Sequence, residues 1–238
     1  MRALVAAAAA VLLFVVCDTD EVMVDGDGNI YRTVRIGNQL WTLENLHTSS
    51  YACGTTIPYI AQAGEWQALQ SPGMCYYRNA HNSDSLAKYG AIYNWYVVDP
   101  HNPRKIAPEG WRVPTSEDWD TLQDYLSIRG YNWDGCVSAN RVAKALAAAT
   151  SWNNSMVRGA TGSDPHKNNK SGFSALSAGY RLSDGNFYHY GSRGYWWTST
   201  EVSRSHAYSR NLIYDYEELG TVSEDKRLGF SVRLVREY

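Results

Sequence analysis

The feature that most constrains the fold is a change in residue periodicity near residue 172. Upstream segments repeat apolar residues at helical spacing, whereas the downstream chain consists of short segments in which apolar and polar residues alternate. These downstream segments are separated by turns and read GFSALSAGYR, GNFYHYG, GYWWTSTE, HAYSRNLIYDY and GFSVRLVRE. Helices early in the chain and a compact antiparallel sheet late in it predict an α+β fold.

Two or three helices are predicted before this change. In TSEDWDTLQDYLSIRG, Thr115 can cap a helix, Asp118 can complete a capping box, and Gly130 can end the helix. The acidic residues of its first turn are expected on the exposed side, where they complement the helix dipole. A second helix is predicted over residues 85–98 and a short third one within ANRVAKALAAAT. Residues 47–82 are expected to be irregular and rich in loops.

The amino terminus, MRALVAAAAAVLLFVVC, has the charge and apolar run of an export signal. Residues 1–16 are therefore predicted to be removed as a signal peptide. An apolar run that stops at a cysteine resembles a bacterial lipoprotein signal, in which Cys17 carries the lipid; a plain secretory signal or a buried free cysteine are the alternatives. Residues 17–24 are interpreted as an acidic tether and residues 25–238 as one folded domain. The expected location is outside the cell, at the outer membrane or cell surface, with membrane contact only through the lipid anchor.

The net charge of the chain narrows the possible binding partners. The 22 basic and 24 acidic residues give a net charge of -2, which offers no general attraction to phosphate backbones, so nucleic acid is not expected as a partner.

Cysteines in an exported protein can form disulfides. Cys53 and Cys75 bracket a loop that a disulfide could close, which would leave Cys136 free, although the sequence does not decide the pairing.

No motif indicates catalysis, a cofactor or a metal. Asp25, Asp27 and Asn29 imitate the start of a calcium loop, but the twelfth loop position is Ile36, where a bidentate glutamate is required. A turn is therefore predicted there. The six histidines lack the spacing of a zinc site, and no serine lies in a nucleophile-elbow pattern. We expect a binding protein and not an enzyme.

Six motifs stand in one order along most of the chain: DGNIYRTVRIGNQLWTLENL, YGAIYNWY, PEGWRVPTSEDWDTL, GFSALSAGYR, GYWWTSTE and GFSVRLVR. Together they resemble the Fibrobacter succinogenes major paralogous domain, a family of exported bacterial proteins. The resemblance implies a C-type lectin-like fold, with two or three helices packed on a small antiparallel sheet and long irregular loops. The same fold is used by formylglycine-generating enzymes, whose late reactive cysteine pair this chain lacks. It is also used by the variable proteins of diversity-generating retroelements, and the C-terminal region here, about residues 181–228, is similar to their diversified segment.

The chain departs from the family at two positions. Many members carry cysteines where this sequence has Ala107 and Leu234, so apolar packing is expected to replace a bridge there. Within GYWWTSTE, adjacent residues Trp196 and Trp197 could suggest sugar stacking. Neighbours in a strand point to opposite faces, however, and both side chains are interpreted as scaffold.

Residues 203–218 combine two kinds of position. If Tyr208, Arg210, Leu212 and Tyr214 face the scaffold, the alternate positions face solvent together. The amino acids at these solvent-facing positions are ones that an asparagine codon can encode after its adenines are changed. They also suit adaptable binding of a protein or glycan. An undiversified polysaccharide-binding surface and a passive envelope scaffold remain the alternatives. The candidate ligand-binding residues are Asn186, Tyr188, His189, Tyr190, Ser192, Arg193, Ser203, Arg204, Ser205, His206, Ser209, Asn211, Ile213, Asp215 and Tyr216.

Overall fold

The computed structural model describes residues 21–79 and 88–238. The predicted signal peptide and Cys17 lie outside the described residues. The strands are β1 (Val22–Val24), β2 (Ile30–Ile36), β3 (Gln39–Thr42), β4 (Met74–Tyr76), β5 (Ala91–Tyr93), β6 (Tyr180–Arg181), β7 (Phe187–Tyr188), β8 (Arg193–Glu201), β9 (His206–Ile213), β10 (Gly220–Asp225) and β11 (Val235–Glu237). The helices are α1 (Ala63–Ala68), α2 (Trp95–Val98), α3 (Ser116–Ile128) and α4 (Ala143–Leu146), with 3-10 turns at Tyr77–Asn79 and Pro165–Lys167.

The strands form small sheets whose strand pairs are antiparallel. One sheet has four strands in the order β1-β2-β3-β11, and a second has three in the order β10-β9-β8; β4 pairs with β5, and β6 with β7. Few helices beside antiparallel sheets agree with the predicted α+β class. Within the described residues, no helix has the length and apolar content needed to cross a membrane.

The folded part begins earlier than the sequence suggested. Residues 22–24, assigned to the tether, form β1 against β2, and Met23 is fully buried in the core. Asp25 then makes the predicted turn: its carboxylate accepts hydrogen bonds from the backbone of Asp27 and Asn29 and from the Tyr31 hydroxyl. With its oxygens engaged in this way, Asp25 acts as a structural turn residue.

The sheet β8-β9-β10 lies between two apolar clusters. On one face Trp197 packs on Phe230, with ring centroids 4.4 Å apart, and on the other Trp196 packs near Trp119 of α3 at 6.1 Å. Trp196 and Trp197 are 1% and 0% exposed. The interpretation of both tryptophans as scaffold is thus confirmed, because neighbouring strand residues serve opposite clusters.

The predicted outward face of β9 is wrong in its central part. Arg210 and Leu212 are buried as expected, but Ser209 and Asn211 are also buried, at 0% and 5% exposure. The reason is that β9 is the middle strand of a sheet covered on both faces. Ser209 stands opposite Trp197 of β8 and opposite a β10 residue, and cross-strand partners share a face. Further along, Ile213 and Asp215 are half-buried.

Helix α3 has the predicted cap, and one detail differs. Thr115 and Asp118 form the capping box. Asp118, expected on the exposed side, is 9% exposed because its carboxylate also pairs with Arg112. The capping carboxylate therefore also ties the preceding loop to the helix.

The helix predicted over residues 85–98 is wrong in its middle part, whereas residues 88–89 and Trp95–Val98 are helical. Ala91–Tyr93 is strand β5, and only Trp95–Val98 is helical after it. Gly90 has φ +77°, and a Cβ there would lie 2.6 Å from Cβ of Asn45. The left-handed backbone at Gly90 interrupts any continuous helix. All three residues of β5 are buried, so the sequence lacks the apolar and polar alternation by which a strand is recognised.

No disulfide joins Cys53 and Cys75, because both are free thiols. Cys53 is exposed, whereas Cys75 is fully buried beside Trp66 and Ile92. Cys136 is free as well. The expectation for the two family cysteine positions is met, since Leu234 lies in the apolar cluster of Phe230 and Ala107 packs against that cluster.

Candidate ligand-binding surface

The hairpin β6–β7 positions the first part of the candidate site. Arg181 of β6 is 1% exposed, and its guanidinium donates to the carbonyls of Gly185, Ile60 and Ala61. It also lies over the ring of Trp66, 4.5 Å from the centroid. A buried guanidinium with several acceptors fixes the hairpin against the loop before α1.

A tight turn after β7 presents three consecutive ring side chains. His189 has φ +62°, and its carbonyl accepts the backbone N–H of Ser192 and Arg193. This left-handed conformation is uncommon for a residue with a side chain, and the hydrogen bonds hold it. As a result Tyr188 and Tyr190 remain 38% and 48% exposed, with the exposed His189 between them.

Ring contacts connect this turn to the core. Tyr180 stacks on His189 at 5.4 Å and meets Tyr195 edge-on at 5.0 Å, and Tyr195 stacks on Phe230 at 4.8 Å. Burial lowers the pKa of His189, and the charge of Arg193 lowers it further. Burial also raises the pKa of Tyr180 and Tyr195. These rings are therefore neutral near pH 7, and of the three only His189 is exposed.

Tyr190 extends the surface to the other side. Its hydroxyl donates to the hydroxyl of Tyr89 at 2.6 Å, and its ring lies 5.1 Å from Tyr89 and 5.3 Å from Tyr77. The Lys88 ammonium lies 5.0 Å from the centre of the Tyr89 ring. We refer to Tyr77, Tyr89, Tyr188, His189, Tyr190 and Arg193 as the aromatic surface, which the buried Tyr180 supports from below.

The structure brings together part of the predicted site. Ser192 and Arg193 follow the turn, and Ile213 stands opposite Arg193 across the strands. Asp215 and the exposed Tyr216 continue from the same end of β9. Asn186 is exposed in the β6–β7 turn, where its backbone and side chain bind Asp184.

A second part of the predicted site lies elsewhere. The connection between β8 and β9 is exposed and includes Ser203, Arg204, Ser205 and His206. It is separated from the Ile213 end of β9 by the strand's length, about 23 Å at roughly 3.3 Å per residue. Ser209 and Asn211, which were expected to join the two parts, are buried. The predicted single patch is instead two exposed regions at opposite ends of β9.

Sequence reasoning missed Tyr77, Tyr89, Tyr180 and Tyr195 as neighbours of the site. The available signal was the abundance of tyrosine, 18 residues against 4 phenylalanines. No local pattern indicates that Tyr77 and Tyr190, more than a hundred positions apart, share a surface. Among residues 21–79 and 88–238, no group of three His, Cys, Asp or Glu side chains could hold a metal.

The fold and this surface define a mixed α/β domain with small antiparallel sheets and an exposed aromatic face near its C-terminal sheet. The model of the Fibrobacter succinogenes major domain matches residues 34–236. The chain belongs to this family. Searches of curated proteins and of solved structures gave no match.

Proposed function

We propose that this protein is an exported binding protein that holds an external protein or glycan non-covalently on the aromatic surface. The observation that carries the proposal is the side-by-side exposure of Tyr188, His189 and Tyr190 on a hydrogen-bonded turn. Tyrosine supplies a large amphipathic contact area at a low cost in conformational entropy. A backbone that is already ordered lowers the entropic cost of binding further.

The proposal assigns no catalytic step to this surface. A carboxylate commonly orients a histidine base and raises its basicity, whereas the groups around His189 include Tyr180, Tyr188 and the cationic Arg193, which lowers the pKa of His189. A neutral histidine beside a cation is suited to hydrogen bonding and ring contact. Binding by shape and mixed polar and aromatic contact is the function we assign, without a cofactor.

The proposal includes a C-type lectin-like fold and a diversified C-terminal region. Exposure of Asn186, Tyr188, Tyr190 and Tyr216 supports substitution at these positions, since surface changes usually alter stability by less than about 0.5 kcal/mol. Burial restricts Ser209 and Asn211 to small side chains, so diversification would act at the two ends of β9. A reverse transcriptase gene and a near-repeat differing only at adenines beside this gene would support diversification. Their absence would favour an undiversified polysaccharide-binding domain, and the third alternative is a passive envelope scaffold.

The proposed anchor is a lipid on Cys17. Detergent partitioning of the expressed protein tests it, because a lipidated protein enters the detergent phase. We expect Cys17→Ser to move the protein to the aqueous phase. Partitioning that this substitution leaves unchanged would remove the anchor from the proposal.

Binding itself can be tested with Tyr188→Ala and Tyr190→Ala. A glycan array tests sugar ligands, and staining of bacterial cells with the labelled domain, before and after protease treatment, tests protein ligands. The matched control is Tyr125→Ala on α3, because Tyr125 is 37% exposed and Tyr188 is 38% exposed. We expect both surface variants to lose binding by roughly tenfold or more, as for buried aromatic anchors, and the control to retain it. Equal binding by all three variants would rule out the aromatic surface.

A further inference from the structure

A separate cavity of about 340 Å³ lies between the chain after α3, helix α4 and the loop around residues 158–170. Its volume is within the range of small-molecule sites, roughly 300 to 1,000 Å³. The residues that matter for its chemistry are Tyr131, Trp133, Lys144, Arg158, Lys167 and Lys170. We call this cavity the basic pocket.

The charge of the basic pocket is opposite to that of the whole chain. Four cationic side chains line it against one carboxylate, that of Asp164, so the lining carries +3 where the chain carries -2. Lys167 pairs with Asp164 at 3.2 Å, and both side chains are exposed, which makes this pair weak. The remaining positive charge has no carboxylate in the lining to neutralise it. Such a concentration of one sign in a cavity attracts anions.

Lys144 holds the wall of the basic pocket in place. Its ammonium donates to the side-chain oxygen of Asn168 at 2.9 Å and to the carbonyls of Ser163 and Asp164. The backbone N–H of Asn169 in turn donates to the Lys144 carbonyl. The loop is therefore fastened to α4, and the ammonium of Lys144 lies in the lining of the cavity.

The two outer cations are positioned on aromatic rings. The Arg158 guanidinium lies 5.0 Å from the Trp133 ring centroid, and the Lys170 ammonium lies 5.0 Å from that of Tyr131. Arg158 makes no ion pair within the described part of the chain, so its planar donors are free for a planar oxyanion. The Trp133 indole is oriented by its N–H bond to Glu217 at 2.5 Å. Lys170 also donates to the Gly130 carbonyl at 3.2 Å, so Arg158 is the cation with free donors beside the aromatic walls.

We propose that the basic pocket binds the carboxylate or sulfate group of an acidic saccharide. Arg158 and Lys170 would contact the oxyanion, while Trp133 and Tyr131 would limit the space for the sugar ring. The cavity shares no lining residue with the aromatic surface, so this inference goes beyond the proposed function. A ring-bearing anion fits the pocket better than a bare ion because only the former uses both the charge and the walls.

Calorimetric titration with D-glucuronate tests the inference, with D-glucose as the neutral analogue and inorganic sulfate as the ion without a ring. We expect glucuronate to bind, glucose not to bind, and sulfate to bind more weakly than glucuronate. Affinity should fall as salt is added, because the Debye length shrinks from about 30 Å at 0.01 M to about 3 Å at 1 M. Undetectable glucuronate binding, or equal binding of glucose, would overturn the proposal. Sulfate binding as tightly as glucuronate would overturn its saccharide part.

Arg158→Gln should weaken glucuronate binding by roughly tenfold or more, since it removes a charge-assisted hydrogen bond to the carboxylate. The matched control is Arg104→Gln, which removes an exposed cation outside the basic pocket. Thermal unfolding of both variants should resemble the parent protein because both side chains are exposed. Unchanged affinity in Arg158→Gln would overturn the assignment. Tyr188→Ala should retain glucuronate binding, which separates this pocket from the aromatic surface.

Discussion

At the scale of single residues, buried arginines connect segments that are distant in the sequence. Arg233 is 0% exposed, donates to the carbonyls of Phe173 and Ser174, and lies 4.3 Å from the Phe173 ring centroid. Burial lowers the pKa of Arg233 to about 9, so it remains charged at neutral pH. Each guanidinium satisfies main-chain oxygens that would otherwise be buried without a donor.

Replacing Arg233 with methionine should destabilise the protein by about 3 kcal/mol or more. Methionine fills part of the volume but leaves buried carbonyls without donors, and each such loss costs about 1–3 kcal/mol. Urea unfolding measures the change. The exposed Arg129→Met is the control and should stay within about 0.5 kcal/mol. A similar small loss for both variants would show that the Arg233 hydrogen bonds contribute little.

His47 should make stability depend on pH. Burial lowers its pKa below 6.5, and its Nδ1 is buried without a hydrogen-bond partner in the described structure. Below pH 6.5 the unfolded chain therefore takes up a proton that the folded state resists, so the free energy of unfolding falls as the pH decreases from 7. In His47→Phe, which keeps a ring near Tyr31, this decrease should be smaller. Identical pH profiles for the parent and the variant would contradict the prediction.

At the scale of elements, burial differs between the ends and the centre of β9. The residues before it are exposed in the loop from β8, and its central residues are covered on both faces. In such a strand both faces are buried, so the alternating residue types match two different buried environments and do not separate a buried face from an exposed one. Polar residues such as Ser209 can therefore be buried, as its hydroxyl bond to the Val222 carbonyl illustrates.

Ser209→Tyr should lower stability by about 1–3 kcal/mol or more, because a large ring must enter a filled space beside Trp197. Arg204→Tyr places the same ring at an exposed position of the β8–β9 connection and should have little effect. Thermal or urea unfolding of both variants measures the difference. Equal tolerance at both positions would mean that the centre of β9 can accept diversification.

At the scale of the whole molecule, the sheet β8-β9-β10 joins two apolar clusters into one structure. Trp197 and Phe230 belong to one cluster, and Trp196, Trp119 and Leu212 belong to the other. The chain near Phe230 also bridges to β5 and β8. Loss of either cluster should therefore affect the other, and we expect the domain to unfold cooperatively.

Thiol reactivity measures this cooperativity in a Cys17→Ser protein. Hydrogen bonds with Thr55 and Ser138 lower the pKa of Cys53 and Cys136, whereas burial raises the pKa of Cys75 to about 12. Two thiols should react quickly with an aromatic disulfide reagent, and the third only when the domain unfolds. Rapid reaction of all three thiols in the folded protein would indicate local opening and would contradict the prediction.

The sequence by itself determined the α+β class, the capped helix α3, the Asp25 turn, the scaffold role of Trp196 and Trp197 and the family. These features depend on local spacing or on ordered motifs, which a sequence displays directly. Only the tertiary structure decided that Ser209 and Asn211 are buried, that Ala91–Tyr93 is a strand, and that Tyr77 and Tyr89 meet Tyr190. Burial on both faces and contacts between distant segments depend on what packs above each residue, and local periodicity does not record that.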